Sequence, residues 1–179
     1  GPRTKLAKWI TDPAHPLTAR VIVNRIWQGH FGRGLVSTPN DFGFNGMPPT
    51  HPELLDFLAN EFVTGGWKFK PLHRLIVMSS TYRQGSATKG RKDALAKDPG
   101  NRWLWRFQRR RLQAEEIRDS MLAVAGKLDS GTGGPSVMLP VKQELIDLLY
   151  KPSQWKVTPD ERKHNRRSIY LIAKRNLRL

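Results

Sequence analysis

No cysteine occurs among the 179 residues. The chain therefore holds no disulfide, no Cys-ligated zinc, no iron–sulfur cluster and no thiol nucleophile. A cysteine-free domain with an adequate core fits any compartment. Acidic residues are scarce: 15 Asp plus Glu face 31 Lys plus Arg, a net charge of +16. No apolar run reaches eighteen residues, the length a membrane-spanning helix needs. Internal repeats and low-complexity segments are absent. The five histidines show no H-x-x-x-H or H-E-x-x-H spacing, so no metal site is expected.

What is present argues for a packed fold. Six Trp and seven Phe offset an apolar share of 38% and speak against disorder. A chain of this length buries roughly 70% of its unfolded surface. It opens on Gly1 without Met, so it is expected to be a truncated piece of a larger multidomain protein, and a missing signal peptide is uninformative.

The periodic segments are mostly helical. Residues 4–10 form a short helix ending before Asp12-Pro13. Leu17 to Phe31 forms a second, with Val23, Ile26, Trp27 and His30 on one stripe. Residues 32–50 are a long ordered loop, expected to be pinned by Phe42 and Phe44. Thr50 and Glu53 read as a capping box. It opens a helix carrying Leu54, Leu55, Leu58 and Phe62, which stops at Gly65-Gly66. Pro71 opens the partner helix of an αα-hairpin. Residues 85–101 are polar and turn-rich, an exposed connector. Ile117, Met121, Val124 and Leu128 mark a long helix over 110–128, and Val141, Leu145, Leu148 and Leu149 a last one. Ser168–Ala173 reads as a strand whose partner is expected past Leu179 or in another domain. The expected fold is mainly α: a single-domain helical bundle over 1–179 with a long ordered loop and a short C-terminal strand. Breaks at 85–100 or 129–140 are the alternatives, and Trp103-Leu104-Trp105 is expected to pack back on the first half.

The chemistry-bearing residues fall into groups. Arg102, Arg106, Arg109, Arg110 and Arg111 crowd ten positions. Arg162, Lys163, Arg166 and Arg167 crowd six, followed by Lys174, Arg175 and Arg178. On one face they would hold a polyanion, because the planar guanidinium donates two parallel hydrogen bonds to sulfate or phosphate. The alternatives are docking to an acidic neighbouring domain and a solvated face. Nucleic acid is a further reading, with Trp103 and Trp105 as stacking platforms. An enzyme site at the 32–51 loop would pair Asp41 with His51 as acid and base, Arg20 and Asn24 orienting substrate. The plainer reading makes Asp41 a turn residue and Asn24 a partner of loop carbonyls. The carboxylates Glu53, Asp56 and Glu61, and Glu115, Glu116 and Asp119, read as helix charges.

The segments TDPAHPLTARVIVNRIWQGHFGRGLVSTPNDFGFNG, PTHPELLDFLANEFVTGGWKFKPLHRLIVMSSTYRQ, RRRLQAEEIRDSML, GGPSV and NRRSIYLIAKRNL occur in this order along nearly the whole chain. Together they resemble the planctomycete secreted domain one family, domain of unknown function 1553. The resemblance implies an exported protein, periplasmic or at the cell surface. It also implies a c-type cytochrome-like domain nearby, and a link to anionic polysaccharide. It carries over no catalytic residue. His15, Gly29 and Phe57 stand where the family commonly has Asn, His and Trp. Without C-x-x-C-H there is no cofactor in this chain, and any haem belongs to a neighbouring domain. The expected function is a non-catalytic binding or scaffold domain with a basic face for an anionic polysaccharide or an acidic partner domain. The alternatives are an enzyme or enzyme subunit acting on polysaccharide, and a nucleic-acid-binding protein.

Overall fold

The computed structural model describes residues 1–147, 149 and 151–174. It is mainly helical, with eight α-helices among the described residues. The chain forms two compact units, Gly1–Arg110 and Arg111–Leu179. The division falls at neither Pro/Gly-rich stretch. Residues 98–107 are tied back to the preceding helices and so do not act as a linker.

In the first unit, α1 (Pro2–Ile10) buries no side chain. The chain turns at Asp12-Pro13, and His15 Nδ1 accepts the backbone N–H groups of Leu17 and Thr18 as α2 (Thr18–Phe31) begins. Gly32 ends α2 in the left-handed region, φ 79°, with its N–H on the Gln28 carbonyl. Glycine takes that conformation without a Cβ penalty. Of the stripe read from the sequence, Val23 and Trp27 are buried and Ile26 and His30 partly so. Phe31, outside that stripe, is also buried and stacks on Trp27 at 4.1 Å.

Helix α3 (Pro52–Thr64) starts one residue later than a Thr50 cap would give. Thr50 Oγ1 instead donates to the Leu35 carbonyl, 3.3 Å away, so the hydroxyl fastens the loop and His51 takes the cap position without a side-chain bond. Gly65 and Gly66 end α3, and α4 (Phe69–Met78) completes the hairpin, burying Leu72 and Ile76. The core joins α2, α3 and α4 through Val23, Trp27, Phe31, Leu55, Leu58, Phe62, Leu72 and Ile76, closed by Leu35 and Val36 from the loop. Each such side chain contributes about 1.5–3 kcal/mol. The loop's apolar anchors are thus Leu35 and Val36. Phe42 packs against the core, but Phe44 is fully exposed. Short helices α5 (Ser80–Arg83) and α6 (Lys92–Lys97) follow.

The second unit has a small apolar core, Leu149 and Trp155 with Met138, Val141, Ile146 and Ile172 against them. Helix α7 (Ala114–Val124) is shorter than 110–128. Glu116 Oε2 accepts the Gln113 N–H at 2.8 Å, which fixes the start, and Gly126 at φ 66° ends it. Its apolar residues Ile117, Met121 and Val124 are exposed. Helix α8 (Gln143–Asp147) is the core of the last predicted helix, whose Leu148 lies outside the described residues. The expected strand at 168–173 is mostly a 3-10 turn, Ser168–Tyr170. Only Leu171 pairs in β fashion, in one parallel bridge to Val137. The partner in that bridge lies upstream. A polar network does what a sheet would have done. Arg118 donates to the His164 carbonyl and, at 3.0 and 3.1 Å, to the Arg166 carbonyl and Ser168 Oγ. Asp119 Oδ1 accepts from the Ser168 N–H at 2.8 Å and its hydroxyl at 2.6 Å.

Candidate functional site

Residues 98–107 belong to no helix or strand, yet their backbone is fixed by side chains. Asp98, nearly buried, accepts the N–H groups of Arg102 and Trp103 at 2.9 and 2.8 Å. Asn101 exchanges two bonds with the backbone of Arg106, and Trp105 Nε1 donates to the Asp98 carbonyl. Gln84 Nε2 donates to the Leu104 carbonyl, and Leu104 packs on the core. Asn101 and Leu104 take positive φ, 53° and 55°, which folds the segment tightly. Hydrogen bonds of this kind rigidify a loop, although the buried Arg106 Nε has no hydrogen-bond partner among the described residues.

This laced segment forms one wall of a cavity of about 350 Å³. The other wall is the end of α2 with Gly32, Arg33, Gly34 and Leu35, and Trp27 and Phe31 form the apolar floor. Arg33, Arg102, Arg109 and Arg110 line it, and its lining contains no Asp or Glu. Arg33 and Arg102 are exposed, while Arg109 Nε donates weakly to Ser86 Oγ at 3.3 Å. Guanidinium groups converging on one concavity can bind a tetrahedral or planar anion through several charge-assisted bonds.

The sequence candidates divide between the units. Arg102, Arg109 and Arg110 meet at this cavity, while Arg106 stacks its guanidinium over Trp105 at 5.1 Å and does not line it. Arg111, Arg162, Lys163 and Arg167 lie exposed in the second unit, Arg162 beside Asp160 at 3.5 Å. Arg166 is buried. Its guanidinium donates to the carbonyls of Pro135, Gly131 and Gly133 and lies 3.9 Å from the centre of the Tyr170 ring. It holds the glycine loop. Arg175 and Arg178 lie outside the described residues. Trp103 is exposed, edge-on to His51 at 5.7 Å, and Trp105 is half-buried under Arg106.

The residues of the proposed acid/base pair at the loop have other partners. Asp41 Oδ1 accepts the Gly43 N–H in a turn, and His51 Nδ1 bonds Thr50 Oγ1. Asn24 is wholly buried and joined to Val36. Arg20 donates to Asp56 at 2.6 Å, and this hydrogen bond holds the Asp56 carboxyl below its ordinary 3.8. A depression of about 430 Å³ beside the loop is lined by Arg20, Asp56, Phe42 and Phe44. Its two charged groups neutralise each other, whereas the lining of the arginine cavity includes no acidic residue.

Two residues escaped the sequence reading. Arg33 stands alone in Phe31-Gly32-Arg33-Gly34, and it lines the cavity together with Arg102. The second is His73, whose ring meets His30 with Nδ1 and Nε2 2.8 Å apart. Burial, and then His73, lower the His30 pKa from its ordinary 6.5. Forty-three positions separate the two, so no local motif announces them. Among the described residues no group of three or more His, Cys, Asp and Glu side chains could hold a metal ion. No described helix is long and apolar enough to cross a membrane.

A family model described as PSD1, protein of unknown function (DUF1553), matches residues 2–179. The chain belongs to that family of domains. No curated protein and no solved structure matches it.

Proposed function

We propose that this domain is a binding module whose arginine cavity takes the sulfate or carboxylate groups of an anionic polysaccharide. One observation carries the reading: Arg33, Arg102 and Arg109 converge with Arg110 on a concavity that has an apolar floor and no acidic lining residue. A sugar ring offers both an apolar face for Trp27 and Phe31 and charged substituents for the guanidinium groups. The size, about 350 Å³, suits one ring with its substituents better than the flatter face of an acidic neighbouring domain. The resemblance to exported proteins favours an extracellular glycan over genomic DNA, with any haem held by a neighbouring domain.

Titration of a sulfated polysaccharide, followed through Trp fluorescence at low and near-physiological salt, tests this directly. An uncharged polysaccharide and duplex DNA run beside it. The expected result is binding that survives near-physiological salt and prefers the sulfated glycan. Binding that vanishes with salt, or equals that of DNA, would reduce the effect to the net charge of +16.

A further inference from the structure

Trp103 is 69% exposed, yet its backbone is fixed: the N–H donates to Asp98 Oδ2 at 2.8 Å. Its ring meets that of His51 almost at right angles, 79°, with centres 5.7 Å apart. A contact of that kind covers at most one face of an indole, so an apolar ring face is left to solvent. Arg102 and Leu104, the residues on either side of Trp103, both line the arginine cavity, and so does Thr50, the neighbour of His51. Trp103 itself is not part of that lining. The indole therefore stands beside the cavity, outside the space that one sugar ring fills.

We propose that Trp103 is a second subsite, a stacking platform for the sugar unit adjoining the one held in the arginine cavity. This rests on the reading of the cavity as a site for an anionic polysaccharide, and it adds the residue that recognises the next unit. The C–H groups on one face of a sugar ring carry slight positive charge, and the face of an aromatic ring is negative. The two pack against each other and both leave water. Tryptophan offers a large contact area with only two side-chain torsions to fix, so little entropy is lost on binding. The bond from Asp98 already sets the backbone that carries the ring. Recognition is thereby divided: the guanidinium groups take the sulfate or carboxylate, and the indole takes a ring face that needs no charged substituent.

The test titrates N-sulfoglucosamine and a heparin tetrasaccharide into the full chain, Trp103→Ala and Trp103→Tyr. Affinities come from calorimetry, the Trp indole N–H signals from NMR, and far-UV circular dichroism confirms the fold of each variant. Trp103→Ala should lose about tenfold in affinity for the tetrasaccharide, the scale of one aromatic contact, and keep its affinity for the monosaccharide. Trp103→Tyr should recover most of the loss, because a second aromatic face serves. The Trp103 indole signal should shift with the tetrasaccharide and stay in place with the monosaccharide. Unchanged tetrasaccharide affinity in Trp103→Ala would overturn the platform and leave the cavity reading standing. An equal loss for both probes would also overturn it and make Trp103 a support of the loop. Binding of neither probe by the unaltered protein would overturn the cavity reading and the platform with it. A larger Trp103-dependent gain with oligothymidylate of matched charge would overturn it in favour of base stacking.

Discussion

Asn24 and Val36 exchange two hydrogen bonds. The Asn24 side chain donates to the Val36 carbonyl at 3.0 Å and accepts the Val36 N–H at 2.9 Å, with Asn24 wholly buried. A helix side chain thereby completes the backbone of a loop, and the loop's Leu35 and Val36 seal the core. Asn24→Leu fills the space but leaves both backbone groups of Val36 unpaired. The expected cost is about 1–3 kcal/mol for each buried unsatisfied group. Thermal unfolding should show a midpoint lower by at least several degrees.

Gly34 lies against the same clamp. A Cβ there would stand 2.5 Å from the Val36 carbonyl oxygen and 2.7 Å from the Asn24 amide. Both obstacles are fixed, one of them backbone. Gly34→Ala should therefore destabilise by about 1–3 kcal/mol, the usual range for overpacking. Chemical denaturation of this variant beside Gly43→Ala checks it, since the one close neighbour of Gly43 is an exposed Asp41 carboxylate oxygen.

Asp98 separates binding from global stability. Its carboxylate holds the N–H groups of Arg102 and Trp103, and through them one wall of the arginine cavity. Asp98→Ala should loosen residues 98–107 and weaken binding of a sulfated oligosaccharide by about tenfold, equivalent to about 1.4 kcal/mol. Hydrogen exchange should rise in that segment and stay unchanged in α3.

The Arg20–Asp56 bond gives a titration with a fixed sign. The guanidinium hydrogen bond lowers the Asp56 pKa, so the folded state favours the carboxylate. Its stabilising contribution is present above the unfolded value near 3.8 and is lost as pH falls through the lower folded value. The effect on stability is small because both side chains are exposed. Carboxyl carbon NMR should find the Asp56 midpoint below the ordinary Asp range and returning toward it in Arg20→Ala.

In the second unit, Asp119→Asn keeps the shape but removes the charge that binds Ser168 and Arg118. Hydrogen bonds to a charged group are worth about 1.5–3 kcal/mol. Limited proteolysis should cut the 160–170 segment faster in this variant, with residues 18–78 protected as before.

Periodicity carried the helices whose apolar faces meet a core. The stripe of α2 and the hairpin of α3 and α4 were legible because Val23, Trp27, Leu55, Leu58 and Leu72 recur at helical spacing and are buried. The same signal misled at α7, where Ile117 and Met121 keep the spacing but lie exposed and Glu116 sets the start. The apparent strand failed for a related reason. β-branched and aromatic residues at 168–173 suit an extended chain, but Arg118 and Asp119 bind Ser168 and hold a 3-10 turn. The arginine cluster at 102–110 was visible as composition. Composition could not show that Arg166 serves carbonyls, or that Arg33 joins Arg102 and Arg109. Positive φ occurs at Gly32, Asn101 and Leu104 along the cavity's lining, and at Gly133 and Gly134 in the loop that Arg166 holds.

The most direct measurement compares two charge-matched double variants for binding to a sulfated oligosaccharide at near-physiological salt. Arg102→Ala with Arg109→Ala empties the cavity wall, while Arg162→Ala with Arg167→Ala removes the same charge from the second unit. The cavity reading predicts a loss of about tenfold or more in the first and a change of less than about threefold in the second. Equal losses in both would contradict it, and would leave only a diffuse attraction between a cationic protein and any polyanion.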